Sequence, residues 1–195
     1  MKAVSQKPVK KRISKELIYE MRKGSPIYYR DYDKVLSGEK KAEEVMGSGL
    51  LHAIILRILL KFLYQHLEDK SFLVLTGEVG FKFAPKSWYN LDIAIYKKGD
   101  IKEISEEFVQ IPPRVVIEID TKADLRKFST PMDYFLMKTQ DLLNAGVEKV
   151  IWIFTKEKKI WYAQKGKDWI ITDWNKNIEV TEGVKFNLEK LLKEK

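Results

Sequence analysis

The sequence predicts a single domain of the α/β or α+β class, a sheet with helices packed on it, and three observations carry that expectation. Short runs of β-branched and aromatic residues recur along the chain. Two longer stretches repeat apolar residues at helical spacing. The composition, 45% hydrophobic and 33% charged over 195 residues, is that of a chain that buries one core of its own.

The chain opens on charge. Residues 1–24 hold eight Lys or Arg against two Glu, whereas residues 25–195 carry only +2 of the total +8. A basic arm on a near-neutral body suits a polyanion, because each cation that neutralises a phosphate releases a counterion. It equally suits a solubilising terminus. Ser14 to Lys23 is expected to form a short surface helix, and the turn chemistry of Gly24-Ser25-Pro26 sets the expected boundary. The expected organisation is a basic N-terminal extension over 1–24 and one domain over 25–195.

Tyr32 to Met46 is polar and broken at Gly38. Gly47-Ser48-Gly49 then leads into a long helix, Leu50 to Tyr64, with Ser48 as its N-cap. Only Arg57, Lys61 and Gln65, four residues apart, draw a polar stripe on it, so a sheet or a partner chain should cover the rest. The stretch is shorter than the ~20 residues of a membrane helix. The N-terminus lacks the apolar run of ~7–15 residues of a secretory signal. The cytoplasm is the expected location, with no membrane partner.

Strands are expected at Phe72–Leu75, Val79–Phe83, Leu91–Tyr96 and Arg114–Ile119. From Pro131 to Ala145 the residues Met132, Phe135, Leu136, Leu142 and Leu143 fall at helical spacing, and Gly146 stands where a terminating glycine belongs. Val150–Phe154 and Lys159–Tyr162 form a hairpin around a charged turn, Trp169–Thr172 is a further strand, and Leu188–Lys193 a final helix. Four of the five tryptophans lie between Trp152 and Trp174 at strand positions, which makes core packing a better reading than base stacking.

Several chemistries are excluded. There is no cysteine, hence no disulfide, thiolate zinc site or thiol nucleophile. Neither a Gly-x-Gly-x-x-Gly turn nor a phosphate-binding loop is present. The serine-hydrolase elbow is missing, since Met46 stands two residues before Ser48. His52 and His66 are too few for a multi-histidine zinc site, and His52 reads as a structural residue.

What survives is carboxylates in strands. Asp92 interrupts Leu91-Asp92-Ile93-Ala94-Ile95-Tyr96, and Glu118 interrupts Val115-Val116-Ile117-Glu118-Ile119-Asp120. A carboxylate inside an apolar strand costs several kcal/mol unless it is paired or binds a cation. Two readings stand side by side: a shared hard cation such as magnesium or manganese, or strand-end acids bridged to lysines. If the strand persists, Glu118, Asp120 and Lys122 project from one face. Asp120 is then an extra ligand or a partner of Lys122, with the second favoured.

These residues resemble a family. An acid in one strand, a Glu after Pro112-Pro113-Arg114-Val115-Val116-Ile117, Lys138 eight residues before Gly146-Val147, and the strand Lys149-Val150-Ile151-Trp152-Ile153-Phe154 together resemble the Uma-two family, whose members are assigned as endonucleases of the restriction-endonuclease-like PD-(D/E)xK superfamily. His52 in its apolar helix is similar to that family's N-terminal helix. The likeness runs over roughly residues 28 to 165 and rests on order and spacing. It implies a mixed central sheet flanked by helices and a metal-dependent endonuclease that hydrolyses DNA with Mg2+ or Mn2+. Asp92 and Glu118 would be the metal ligands and Lys138 the catalytic lysine, with Lys122 competing for that role by alternation alone. It also implies an acid on the N-terminal segment, for which Glu43 and Glu44 are candidates. Tyr134 stands where the family often has an Asp four residues before the lysine. The alternative is a catalytically inactive nucleic-acid-binding or interaction module on the same fold. A homodimer is expected from the apolar helix and from the need to cut two strands.

Overall fold

Leu17-Ile18-Tyr19-Glu20-Met21-Arg22 places aromatic and β-branched residues where a surface helix was expected, and it forms a strand. In the computed structural model, which describes residues 13–67, 71–181 and 183–194, a 3-10 turn at Lys15–Leu17 leads into β1 (Ile18–Arg22). Residues 1–12, half of the expected basic arm, lie outside the described residues. β1 pairs antiparallel with β2 (Ser25–Tyr28), and Arg22 faces Ser25 across a two-residue turn in which Lys23 and Gly24 both have positive φ, 50° and 77°. That is the turn geometry whose twist matches a hairpin. The boundary drawn at residue 24 therefore falls inside a hairpin, and Leu17, Tyr19 and Glu20 are buried.

Two short helices, α1 (Tyr32–Ser37) and α2 (Ala42–Met46), precede the long α3 (Leu50–Leu67). The two strands expected around Gly77 are one, β3 (Phe72–Ala84), which absorbs a bulge between Thr76 and Val79. Gly77 and Glu78 take positive φ there, 93° and 59°, so the strand continues on the far side with its register shifted. β3 pairs along the whole of β4 (Ser87–Lys97). The other edge of β4 is shared: Trp88 pairs with β1, and Ile93–Ile95 pair antiparallel with β5 (Val115–Ile119). β6 (Lys149–Phe154) runs parallel to β5, and β7 (Lys159–Gln164) and β8 (Ile170–Asp173) follow antiparallel. The sheet has eight strands in the order β2-β1-β4-β5-β6-β7-β8, with β3 on β4. This is a mixed, mostly antiparallel sheet flanked by helices.

The crossover between the parallel β5 and β6 is α4 (Pro131–Asn144). Thr130 Oγ1 accepts from the Asp133 amide and Asp133 Oδ2 from the Thr130 amide, which fixes the first turn. Tyr134 and Lys138, one turn apart, then share the face that packs on the sheet. α3 covers the opposite face through Ile55, Leu59, Leu63 and Leu67, joined by a small hairpin, β9 (Ile178–Thr181) with β10 (Val184–Phe186), and by α5 (Leu188–Lys193). β9 and β10 are strands that the sequence pattern did not signal. By length and composition α3 could cross a membrane, but its buried side lies against this sheet. All five residues of β5 are buried, as befits a central strand.

Candidate active site

Alternation along β4 and β5 sends Ile93, Ile95, Ile117 and Ile119 to the α3 side and Ala94, Tyr96 and Val116 to the α4 side. The ladder Ile95↔Val115, Ala94↔Val116, Ile93↔Ile117, carried one step further, sets Asp92 opposite Glu118. Ladder pairing stops there, and Asp92 takes over the next donor: its Oδ2 accepts from the Ile119 amide at 2.8 Å. The two acids occur where β4 and β5 begin to part.

Lys138 reaches this point from α4. Its Nζ is 2.7 Å from Glu20 Oε1, 3.0 Å from the Asn90 carbonyl and 3.0 Å from Glu118 Oε1. The Glu118 contact is an ion pair without hydrogen-bond alignment, so Glu118 Oε1 is buried beside the ammonium with no aligned hydrogen bond. Glu20 is better served, because Tyr134 Oη also donates to its Oε2 at 2.9 Å. Lys138 and Glu20 are wholly buried and the Glu118 side chain is 2% exposed.

Burial governs the protonation of these groups. It pushes Glu118 up to about 8, with Lys138 acting the other way and the Asp92 and Glu20 charges adding to the rise. It likewise raises Glu20 and Asp92; Lys138 tempers the first, and His52 with the Ile119 amide tempers the second. For Lys138 burial favours the neutral amine, but the Glu118 and Glu20 carboxylates outweigh it and hold the group well above the usual lysine range. The group is therefore held as an ammonium, with three acids, Glu20, Glu118 and Asp92, acting around it.

Glu20 was not a candidate from sequence, because it falls in the stretch expected as a surface helix. The signal was present in an acid at the centre of Ile18-Tyr19-Glu20-Met21, the same anomaly that marked Asp92 and Glu118. Three of the other candidates, Glu44, Asp120 and Lys122, line one cavity with His52 and not the buried cluster around Lys138. Glu43 and Glu44 lie on α2, and Glu44, whose Oε2 accepts from the Lys41 amide at 2.7 Å, shares a cavity lining with His52. β5 ends at Ile119, and Asp120 has φ 52°, so Glu118, Asp120 and Lys122 do not project from one face. Asp120 bonds to the Thr155 amide (2.9 Å) and hydroxyl (2.6 Å), where a Lys122 partnership had been favoured. Lys122 instead pairs with Glu78, which the β3 bulge turns toward it. Trp152 and Trp161 are buried and aromatic-packed, as the strand positions predict.

A cavity lies beside the site, but Asp92, Glu118 and Lys138 do not line it. This cavity, of about 340 Å³, is lined by Arg30, Glu44, His52, Ile119, Asp120 and Lys122 among others. His52 Nε2 is 3.7 Å from Asp92 Oδ1, and the two side chains are 14% and 11% exposed.

The sequence model of the Uma2 family, described as "Putative restriction endonuclease", matches residues 39–191. The chain belongs to the Uma2 family. The solved structure of a putative nuclease of DUF820 from Anabaena variabilis is similar to it, with a TM-score of 0.67 at 15% identity over 89% of each chain. At that identity the likeness establishes the fold. No curated protein matches the chain. The Uma2 match starts after β1, so the strand that brings Glu20 to Lys138 lies ahead of the matched residues.

Proposed function

We propose that this Uma2-family chain hydrolyses DNA phosphodiester bonds in a reaction that requires Mg2+ or Mn2+. What supports the reading is that Lys138 meets Glu118 at 3.0 Å and that Asp92 lies near enough for its charge to act on Glu118 and for Lys138 to act on it. The donor set is of the kind a hard divalent cation takes: Glu118 Oε1 is a buried oxygen met only by the Lys138 ammonium, with no aligned hydrogen bond, and Asp92 supplies a second carboxylate. Magnesium is commonly held by one or two carboxylates, with water and substrate phosphate supplying the rest. Among the described residues no group of three or more His, Asp and Glu is placed to hold a metal ion, so the proposed set is two carboxylates.

In this reading Asp92 and Glu118 hold the cation. A cation bound there lowers the pKa of its water and offsets phosphoryl charge. Lys138, being a fixed ammonium, acts as a charge and hydrogen-bond donor toward the scissile phosphate and not as a base. Glu20 and the Asn90 carbonyl keep its Nζ in place. DNA would meet the site from the side of the cavity at His52 and Lys122, which borders Asp92 through His52. A homodimer would supply two such sites for two strands, and the exposed Leu50 and Leu51 at the start of α3 are the surface we assign to it. The cytoplasm is the proposed setting.

Incubation with plasmid and single-stranded DNA in Mg2+ or Mn2+ tests the reading. Cleavage that is abolished by chelator and by Asp92→Ala is expected. Retarded DNA mobility without cleavage in either metal would leave the inactive binding module in its place.

A further inference from the structure

Asp92 is held at one oxygen only. Its Oδ2 is committed to the Ile119 amide at 2.8 Å, which leaves Oδ1 as the oxygen free to meet a ligand. The group facing Oδ1 is His52 Nε2, at 3.7 Å, on the third residue of α3 and on the wall of the cavity. From there α3 continues into the packed Ile55, Leu59 and Leu63 side, so the backbone that carries the imidazole is fixed by the aliphatic core. A hydrogen bond from Nε2 to Oδ1 needs an approach of only about 0.7 Å, within the reach of a ring rotation.

From this geometry we infer that His52 is a positioning residue for Asp92: its imidazole N–H orients Oδ1 toward the cation and shields it from bulk water at the cavity wall. The inference rests on the metal-centre reading and deepens it. Partners that orient a ligating carboxylate are worth about 10–100-fold in metal affinity. Lys122 and Lys138 also act on Asp92 electrostatically, but Lys122 is tied to Glu78 and Lys138 to Glu20 and Glu118, which leaves His52 as the group placed to fix its outer oxygen.

The test is Mn2+ affinity by titration calorimetry on the full chain, without DNA, for wild type, His52→Ala, His52→Gln and Asp92→Ala, each first shown by circular dichroism to be folded. His52→Ala is expected to weaken Mn2+ binding at least about tenfold, and His52→Gln, which keeps an N–H donor, to stay within about threefold of wild type. Asp92→Ala should bind no Mn2+ measurably. If Asp92→Ala loses binding while His52→Ala stays within twofold, or if the glutamine variant is as weak as the alanine variant, the positioning role is refuted and the metal centre stands. If wild type binds no Mn2+, or Asp92→Ala binds like wild type, the metal centre falls and His52's role falls with it.

Discussion

The two faces of one sheet, built from alternate residues of the same strands, are chemically opposite. Toward α3, β4–β6 present Ile93, Ile95, Ile117, Ile119, Ile151 and Ile153, an aliphatic layer with no ionisable group among its core residues. Toward α4 the same strands present Tyr96, Glu118 and Trp152, and β1 adds Tyr19 and Glu20 to them. The first layer is held by burial, worth about 1.5–3 kcal/mol for each fully buried Ile. The second contains charges that burial opposes, so its stability depends on the match between Lys138 and its acids. The sheet's rigidity comes mainly from one side and its ion pairs lie on the other, with His52 at the start of α3 reaching Asp92 from the aliphatic side.

Removing the match should have the largest effect. Lys138→Ala leaves Glu20 and Glu118 buried without their cation and is expected to cost about 3–5 kcal/mol in urea unfolding, with cleavage lost. A cost below about 1 kcal/mol would mean that the polar layer does not depend on its ion pairs.

Glu118→Gln sharpens the comparison by separating stability from chemistry. Because folding raises Glu118 from its ordinary 4.5 to about 8, the native state holds a proton that the unfolded chain releases between these values. Its contribution to stability is complete below about pH 4.5 and lost as pH rises through about 8. The glutamine cannot ionise, so the variant should lose less stability over that window and exceed wild type by roughly 1–4 kcal/mol above it, while failing to cleave DNA. Glu20 and Asp92, raised in the same direction, keep some of the decline. Identical urea midpoints for the two proteins across that window would refute the shift.

On the aliphatic face, Ile151→Val should cost about 0.5–1.5 kcal/mol and leave cleavage within about threefold of wild type. A large loss of cleavage at unchanged fold would show the two faces to be coupled.

The unequal legibility of the sequence follows from the same division. The helices at 50–67 and 131–144 and the hairpin of β6 and β7 were evident because periodicity records which residues are buried. Asp92, Glu118 and Lys138 were also evident, two as acids in apolar runs and the lysine through the family's spacing. Glu20 was not, because its strand is short and sits among lysines, and pairing with β2 and β4 rather than local pattern makes it a strand. Lys122 was misplaced for a local reason: the alternation that put it beside Glu118 assumed an extended chain, and Asp120 at φ 52° ends it.

That misplacement gives the smallest effect and the finest discrimination. Lys122 is 18% exposed and pairs with Glu78, which is 34% exposed, at the cavity edge. Such a pair is worth about 0–1 kcal/mol, so Lys122→Ala should unfold within about 1 kcal/mol of wild type. Its charge acts on Asp92 only at a distance and is already shared with Glu78, so cleavage should fall less than about tenfold. Lys138, in contact with Glu118, should be indispensable even when the temperature is lowered until Lys138→Ala is folded by circular dichroism. If under those conditions Lys122→Ala abolishes cleavage and Lys138→Ala retains it, the lysine of this site sits at the cavity mouth, and the buried Lys138 serves the fold alone.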